Sequence, residues 1–201
     1  VVEKPGALFA NFPKDHPLYQ GLGSGAHIHD ADAVLTLRSR APWMPPKNRP
    51  AKATIVNIDE TPFRPHMVHQ NLQADIFLEG DAVATVKALT AAVKARGVDP
   101  AKAAARLDKW SKAHDALSAA RASRRAEALA KTAITPVGLC AVLGDVLPDD
   151  AIYVNETITH RRPIIENLDY RGPQAFFNLA SGALGQGLGL ALGVKLAAPE
   201  R

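Results

Sequence analysis

The chain has 201 residues, 47% of them hydrophobic, 22% charged and 5% aromatic, which excludes a disordered or collagen-like protein and leaves room for one large domain or two small ones. Its 24 Lys and Arg against 20 Asp and Glu give a formal net charge of +4; much of the excess lies along an Ala-rich stretch up to Lys131, where no interleaved aromatics could stack bases, so a solvated helix face is predicted rather than a nucleic-acid surface. No secretory signal is visible and no run of about 18 purely apolar residues supports a membrane span, so a cytoplasmic protein without a membrane partner is expected.

In chain order, Asn11-Phe12-Pro13-Lys14-Asp15-His16-Pro17-Leu18-Tyr19 is a Pro-punctuated loop, a place where functional side chains are often presented. His16 is its candidate, a partly exposed loop histidine being the alternative. His27 and His29 could point to one side of a strand, and His66 and His69 could share a helix face. Neither pair has a Cys or a closely spaced third ligand, so no metal site is predicted. Asp30 to Leu37, Ala53 to Asp59 and, more weakly, Ala74 to Gly80 are short apolar runs rich in strand formers, the signature of parallel strands buried on both faces. The prolines of Ala41 to Pro50 forbid regular structure between the first two. Asp81 is placed to cap a helix from Ala82 to about Arg96, ended by Gly97.

From about Pro100 to Lys131 the chain is Ala-rich and charged, without a strand signal, and reads as a helical connector. Thr135-Pro136 opens a further helix ending near Leu147. Cys140, the single cysteine, lies in its apolar stretch and reads as a core residue in a reducing compartment. Asp150 to Glu156 is a strand ending in polar residues. Ligands collect beyond the carboxyl ends of parallel strands, which makes Asn155 to His160 a positional candidate for binding. The fold class is α/β: a partial Rossmann-like parallel-sheet domain, a helical connector and the start of a second parallel-sheet domain.

The most unusual local feature is the glycine-rich run from Ser181 to Gly193. Glycines let backbone come close to a ligand or to a neighbouring helix. The run fails as a dinucleotide fingerprint, because Leu190 and Leu192 stand where Gly or Ala is needed, and it lacks the Gly-Lys-Ser/Thr of a phosphate loop. Tight helix packing is the simpler reading, and the stretch Leu179 to Ala198 is expected to be a buried helix.

Asn11 to Tyr19, followed by Ala31-Asp32-Ala33-Val34-Leu35 and Pro42-Trp43, resembles the middle domain of thiamine-diphosphate-dependent enzymes, in the group of acetolactate synthase, benzoylformate decarboxylase and oxalyl-CoA decarboxylase. Ala151 to Thr157, Gly182-Ala183-Leu184-Gly185 and Leu192 to Arg201 resemble the start of the diphosphate-binding domain of the same group. The matches occur in the family's order and cover nearly the whole chain apart from about Lys102 to Lys131. The resemblance implies residues 1–98 as a truncated middle domain, 99–131 as a linker and 132–201 as the start of the cofactor-binding domain.

In such enzymes the cofactor is bent into a V around a bulky apolar side chain, and Leu184 occupies the matching place. Gly182 matches the backbone carbonyl that accepts a hydrogen bond from the aminopyrimidine. Asn155, Ile158 and Thr159 fall on the segment that lies against the diphosphate, Thr159 with its hydroxyl and the others mainly through backbone donors. His16 matches a catalytic histidine of benzoylformate decarboxylase that handles protons after carbon dioxide leaves, a task suited to an imidazole.

This sequence departs from the family where the usual Gly-Gly-Leu becomes Gly182-Ala183-Leu184 and where glycine replaces a following proline. The resemblance implies that the magnesium ligands, a Gly-Asp-Gly and a later Asn, and the cofactor-activating glutamate lie outside these 201 residues, which are then not expected to be active alone. Arg38 to Trp43 does not reproduce the arginine motif of acetolactate synthases, which puts FAD in doubt. The expected activity is decarboxylation or carboligation of a 2-oxo acid or acyl-CoA by a lyase or transferase with thiamine diphosphate and Mg2+, in a homodimer or homotetramer. A non-catalytic relative with the same fold is the alternative.

Overall fold

A computed structural model of the chain describes residues 1–4, 7–23, 26–39, 43, 48–63, 74–172, 174–179 and 182–201. It divides into two compact units, Gly23–Ala105 and Val1–Leu22 with Arg106–Arg201.

The unit Gly23–Ala105 is built on a parallel sheet of β1 (Ala33–Leu37), β2 (Thr54–Asp59) and β3 (Ile76–Glu79), in that order. The register sets Ala33 against Thr54 and Val56 against Ile76. β2 is central, and its Ile55 and Ile58 are fully buried. Ile55 packs with Trp43 and Ile28. The edge strands depart from the expectation of burial on both faces: Leu35, Leu37, Ile76 and Leu78 are all exposed. A continuous apolar run reports what a strand can bury, whereas cover on each face has to come from other elements. Asn57, also buried, accepts from the Thr36 hydroxyl at 2.8 Å.

After β3, α1 (Ala82–Arg96) starts where the Asp81 carboxylate accepts from the Ala84 N–H at 2.7 Å, and ends at Gly97 with φ of 80°. His27 and His29 sit on a single 3-10 turn, Ala26–Asp30, and not on a strand. His66, His69 and most of the proline-rich loop from Ala41 to Pro50 lie outside the described residues.

The boundary between the units falls within α2 (Pro100–Leu129). In the second unit, α3 (Pro136–Val146) begins as its sequence requires, the Thr135 hydroxyl accepting from the Gly138 N–H at 3.1 Å and Pro136 taking the first turn. β4 (Tyr153–Asn155) pairs in parallel with β5 (Phe176–Asn178), Asn155 opposite Asn178. Between them runs α4 (Arg161–Asn167), and α5 (Gln186–Ala197) follows β5. Cys140, Ile165, Leu168, Phe176 and Leu22 form the core of this unit, each large apolar side chain contributing about 1.5–3 kcal/mol by leaving water.

Residues 1–22 join this second unit and not the first sheet, as the sequence-based boundary at residue 98 would have it. The reason is a set of specific bonds. Ala10 N–H donates to Phe176 C=O at 3.2 Å and Asn178 N–H to Leu8 C=O at 2.8 Å, an antiparallel contact along β5. From the helical side, His114 Nδ1 lies 2.8 Å from Tyr19 C=O, and the Gln20 amide donates to Trp110 C=O at 2.9 Å.

The basic face of α2 is only partly solvated. Arg121 and Arg125 both pair with Asp169, and Arg125 also reaches Asp145 and Ala141 C=O. α5 departs in the other direction from the buried helix expected: Gly187 is its only buried residue, and Leu188, Leu192 and Leu196 are 73%, 60% and 84% exposed. Among the described residues no helix is long and apolar enough to cross a membrane.

Candidate functional site

The carboxyl ends of β4 and β5 are tied together by a buried amide pair. Asn155 Nδ2 donates to Asn178 Oδ1 at 2.7 Å, and Asn178 Nδ2 donates to Ala7 C=O at 2.6 Å. The remaining oxygen of Asn155 accepts from the Thr157 N–H at 3.1 Å and the Thr157 hydroxyl at 2.6 Å. Every polar atom of this 5%-exposed side chain is thereby satisfied internally. Asn155 shapes the turn and does not project from it. Beyond it Ile158 and Thr159 are exposed, and among the described residues nothing engages the Thr159 hydroxyl.

The second half of the site is the loop entering α5. Gly185 adopts φ of 88°, the left-handed region that favours glycine. Leu184 beside it is 75% exposed. Among the described residues, a Cβ built on Gly182 would touch nothing within 4 Å. Ser181 lies outside the described residues.

Glu156, on the strand-end segment but without an individual role from sequence, connects the two halves. Its carboxylate accepts from the Gln186 N–H at 2.8 Å and the Gly187 N–H at 3.1 Å, satisfying two of the orphan donors at the start of α5. Asn155, Glu156 and Thr157 also form one wall of an open, largely apolar cleft of about 400 Å³, with Leu139, Cys140 and Leu143 of α3 opposite. Burial pushes the Cys140 thiol above its ordinary pKa, so this residue fills core and is not an activated nucleophile.

His16 lies exposed on the N-terminal loop of the same unit. Its Nδ1 accepts from the Leu18 N–H at 3.1 Å, which in the neutral ring places the proton on Nε2, and the ring meets Phe12 edge-on at 5.0 Å between centroids. The loop is held by Lys14, which sequence reasoning passed over. Its ammonium donates to Leu168 C=O at 2.9 Å and to Ile165 C=O, and it stands 3.9 Å from the centroid of the Tyr170 ring. Burial, with Arg121 nearby, lowers its pKa to about 7, while Glu3, Asp169 and Cys140 oppose the shift. The only sequence signal for Lys14 was its place two residues before His16.

No protein-family model matches the chain. Among solved structures it is similar to a benzoylformate decarboxylase from Polynucleobacter necessarius, with a TM-score of 0.64 and 20% identity over 100% of this chain and 36% of that one. A structure from Mycobacterium smegmatis, assigned as a thiamin diphosphate-dependent enzyme, gives a TM-score of 0.61 at 19% identity over 96% of this chain and 36% of that one. A thiamine diphosphate-dependent 4-hydroxybenzoylformate decarboxylase from Rhodococcus jostii RHA1 gives 0.58 at 18% identity, covering 100% and 36%. The chain thus has the α/β fold of about one third of these enzymes and spans 36% of their length.

Proposed function

We propose that the chain is the central part of a thiamine-diphosphate-dependent enzyme that decarboxylates a 2-oxo acid in the manner of benzoylformate decarboxylase, as a lyase, with carboligation as its transferase counterpart. One observation carries the reading beyond the fold: of the two segments the family uses for this cofactor, the strand-end turn 155–159 is bonded through Glu156 to Gln186 and Gly187, the first residues of α5, which directly follow the Gly182–Gly185 loop. The residues present fit the group, since Leu184 is exposed, a Cβ on Gly182 would touch none of the described residues within 4 Å and the Thr159 hydroxyl is available.

When bound, the cofactor supplies the electron sink for breaking the carbon–carboxyl bond. Leu184 and the Gly182 carbonyl would hold the cofactor's ring portion, and the Thr159 hydroxyl with the Ile158 backbone would hold its diphosphate. Asn155 acts beneath them by holding the turn. His16 offers its Nε2–H to a substrate oxygen or carbon that needs a proton. Mg2+ is expected with ligands outside these residues, and FAD is not part of the reading. Assembly into a homodimer or homotetramer belongs to the same proposal.

The test is a substrate screen of the full-length protein with benzoylformate, pyruvate and oxalyl-CoA, each with and without thiamine diphosphate and Mg2+, reading carbon dioxide release. Cofactor-dependent turnover of a 2-oxo acid, reduced by His16→Ala, is expected. Cofactor binding without turnover of any of the three substrates would point to the non-catalytic alternative.

A further inference from the structure

Hydrogen bonding and close packing meet at Glu156. Its carboxylate receives both the Gln186 and the Gly187 N–H, and a Cβ on Gly187 would lie 2.6 Å from Glu156 Oε2 and 3.0 Å from Glu156 Cβ. A side chain at 187 would force Glu156 to shift from this position, so glycine suits the close approach of the strand-end segment to α5. Gly187 is also the one buried residue of α5. The glycine and the glutamate, 31 positions apart, are complementary halves of one contact.

We propose that Glu156 is a positioning residue: it clips the turn that faces the cofactor's diphosphate to the loop carrying Leu184 and so sets the spacing between them before the cofactor arrives. The proposal deepens the cofactor-binding reading and rests on it. Physically, the carboxylate is held at the positive end of α5 by two charge-assisted hydrogen bonds. On the other side, Asn155 fixes the start of the same turn through the buried Asn178. Leu184 lies two residues before the first amide that Glu156 accepts, so movement of that amide moves the wedge with little slack. A clip of this kind lowers the ordering cost that would otherwise oppose cofactor binding.

The experiment is titration of thiamine diphosphate, at saturating Mg2+, into the full-length wild-type protein and its Glu156→Ala, Glu156→Gln, Gly187→Ala and Glu156→Ala/Gly187→Ala variants. Thermal unfolding of each cofactor-free protein and hydrogen exchange at the Gln186 and Gly187 amides accompany it. Glu156→Ala is expected to weaken cofactor affinity by about tenfold or more and to lower protection of those two amides. Glu156→Gln, which keeps an acceptor of the same length, should recover part of both. Gly187→Ala should weaken binding in the wild type but add less in the Glu156→Ala background, because the nearest atom it meets, Glu156 Oε2 at 2.6 Å, is gone and only the Cβ at 3.0 Å remains. Unchanged affinity in a folded Glu156→Ala protein, or simple additivity of the two substitutions, overturns the proposal. A wild type that binds no cofactor refutes the functional reading itself, and this proposal with it; a binding wild type with an unaffected Glu156→Ala refutes only the clip.

Discussion

Lys14 places an ammonium where little water reaches it, and its removal has a pH signature that can be worked out. Its pKa falls from 10.5 to about 7 on folding, chiefly through burial. Between those values the unfolded chain binds more protons than the folded one, so this group makes stability rise with pH across the window. At 1.36 kcal/mol per pKa unit, keeping the proton inside costs about 5 kcal/mol below pH 7, of which about 2 to 3 kcal/mol is relieved by pH 9. Lys14→Met retains most of the apolar stem and removes the charge together with the bonds to Ile165 and Leu168. Urea unfolding of both proteins at pH 6, 7, 8 and 9 isolates the effect, because other titrating groups cancel in the difference. The wild type is expected to gain about 2 to 3 kcal/mol relative to Lys14→Met from pH 6 to pH 9. A difference that stays flat, or falls as pH rises, would refute the burial of the ammonium and with it the account of how the His16 loop is anchored.

Asn178→Ala leaves both Asn155 Nδ2 and Ala7 C=O without their partner and should destabilise the chain by about 2–4 kcal/mol in denaturant unfolding. Leu184→Ala, at a side chain 75% exposed, should change stability by no more than about 0.5 kcal/mol; in the full-length protein it should still lower cofactor-dependent turnover, and a loss of stability without loss of turnover would contradict its wedge role. Cys140, 1% exposed, should react with an aromatic disulfide reagent about a hundredfold more slowly in native buffer than in denaturant, and prompt reaction in buffer would show that the cleft beside α3 admits the reagent to it.

Local chemistry was the readable part of this fold. Asp81 and Gly97 delimit α1, and Thr135-Pro136 opens α3, because caps act within a few residues of themselves. β2 was legible as an apolar run because it does lie in the middle of its sheet. α4 and β5 escaped because seven and three residues are too few for a period to show, and Pro163 inside the first turn of α4 reads as a breaker unless the turn is already known. The assignment of residues 1–22 depends on bonds to Trp110, His114 and β5, separations over which no local pattern carries information. At the candidate site the family resemblance singled out Asn155, Ile158, Thr159, Gly182 and Leu184. It did not reveal that Asn155 turns inward to its neighbours, nor that Glu156 bonds the strand-end turn to Gln186 and Gly187 at the start of α5, since both depend on which strand lies next to which.

The measurement that bears most directly on the central claim is calorimetric titration of thiamine diphosphate into the full-length protein with and without Mg2+. The account predicts one cofactor bound per chain, dependent on the metal and weakened by Glu156→Ala. Absence of binding in the presence of Mg2+, by a protein whose unfolding transition shows it to be folded, would contradict it.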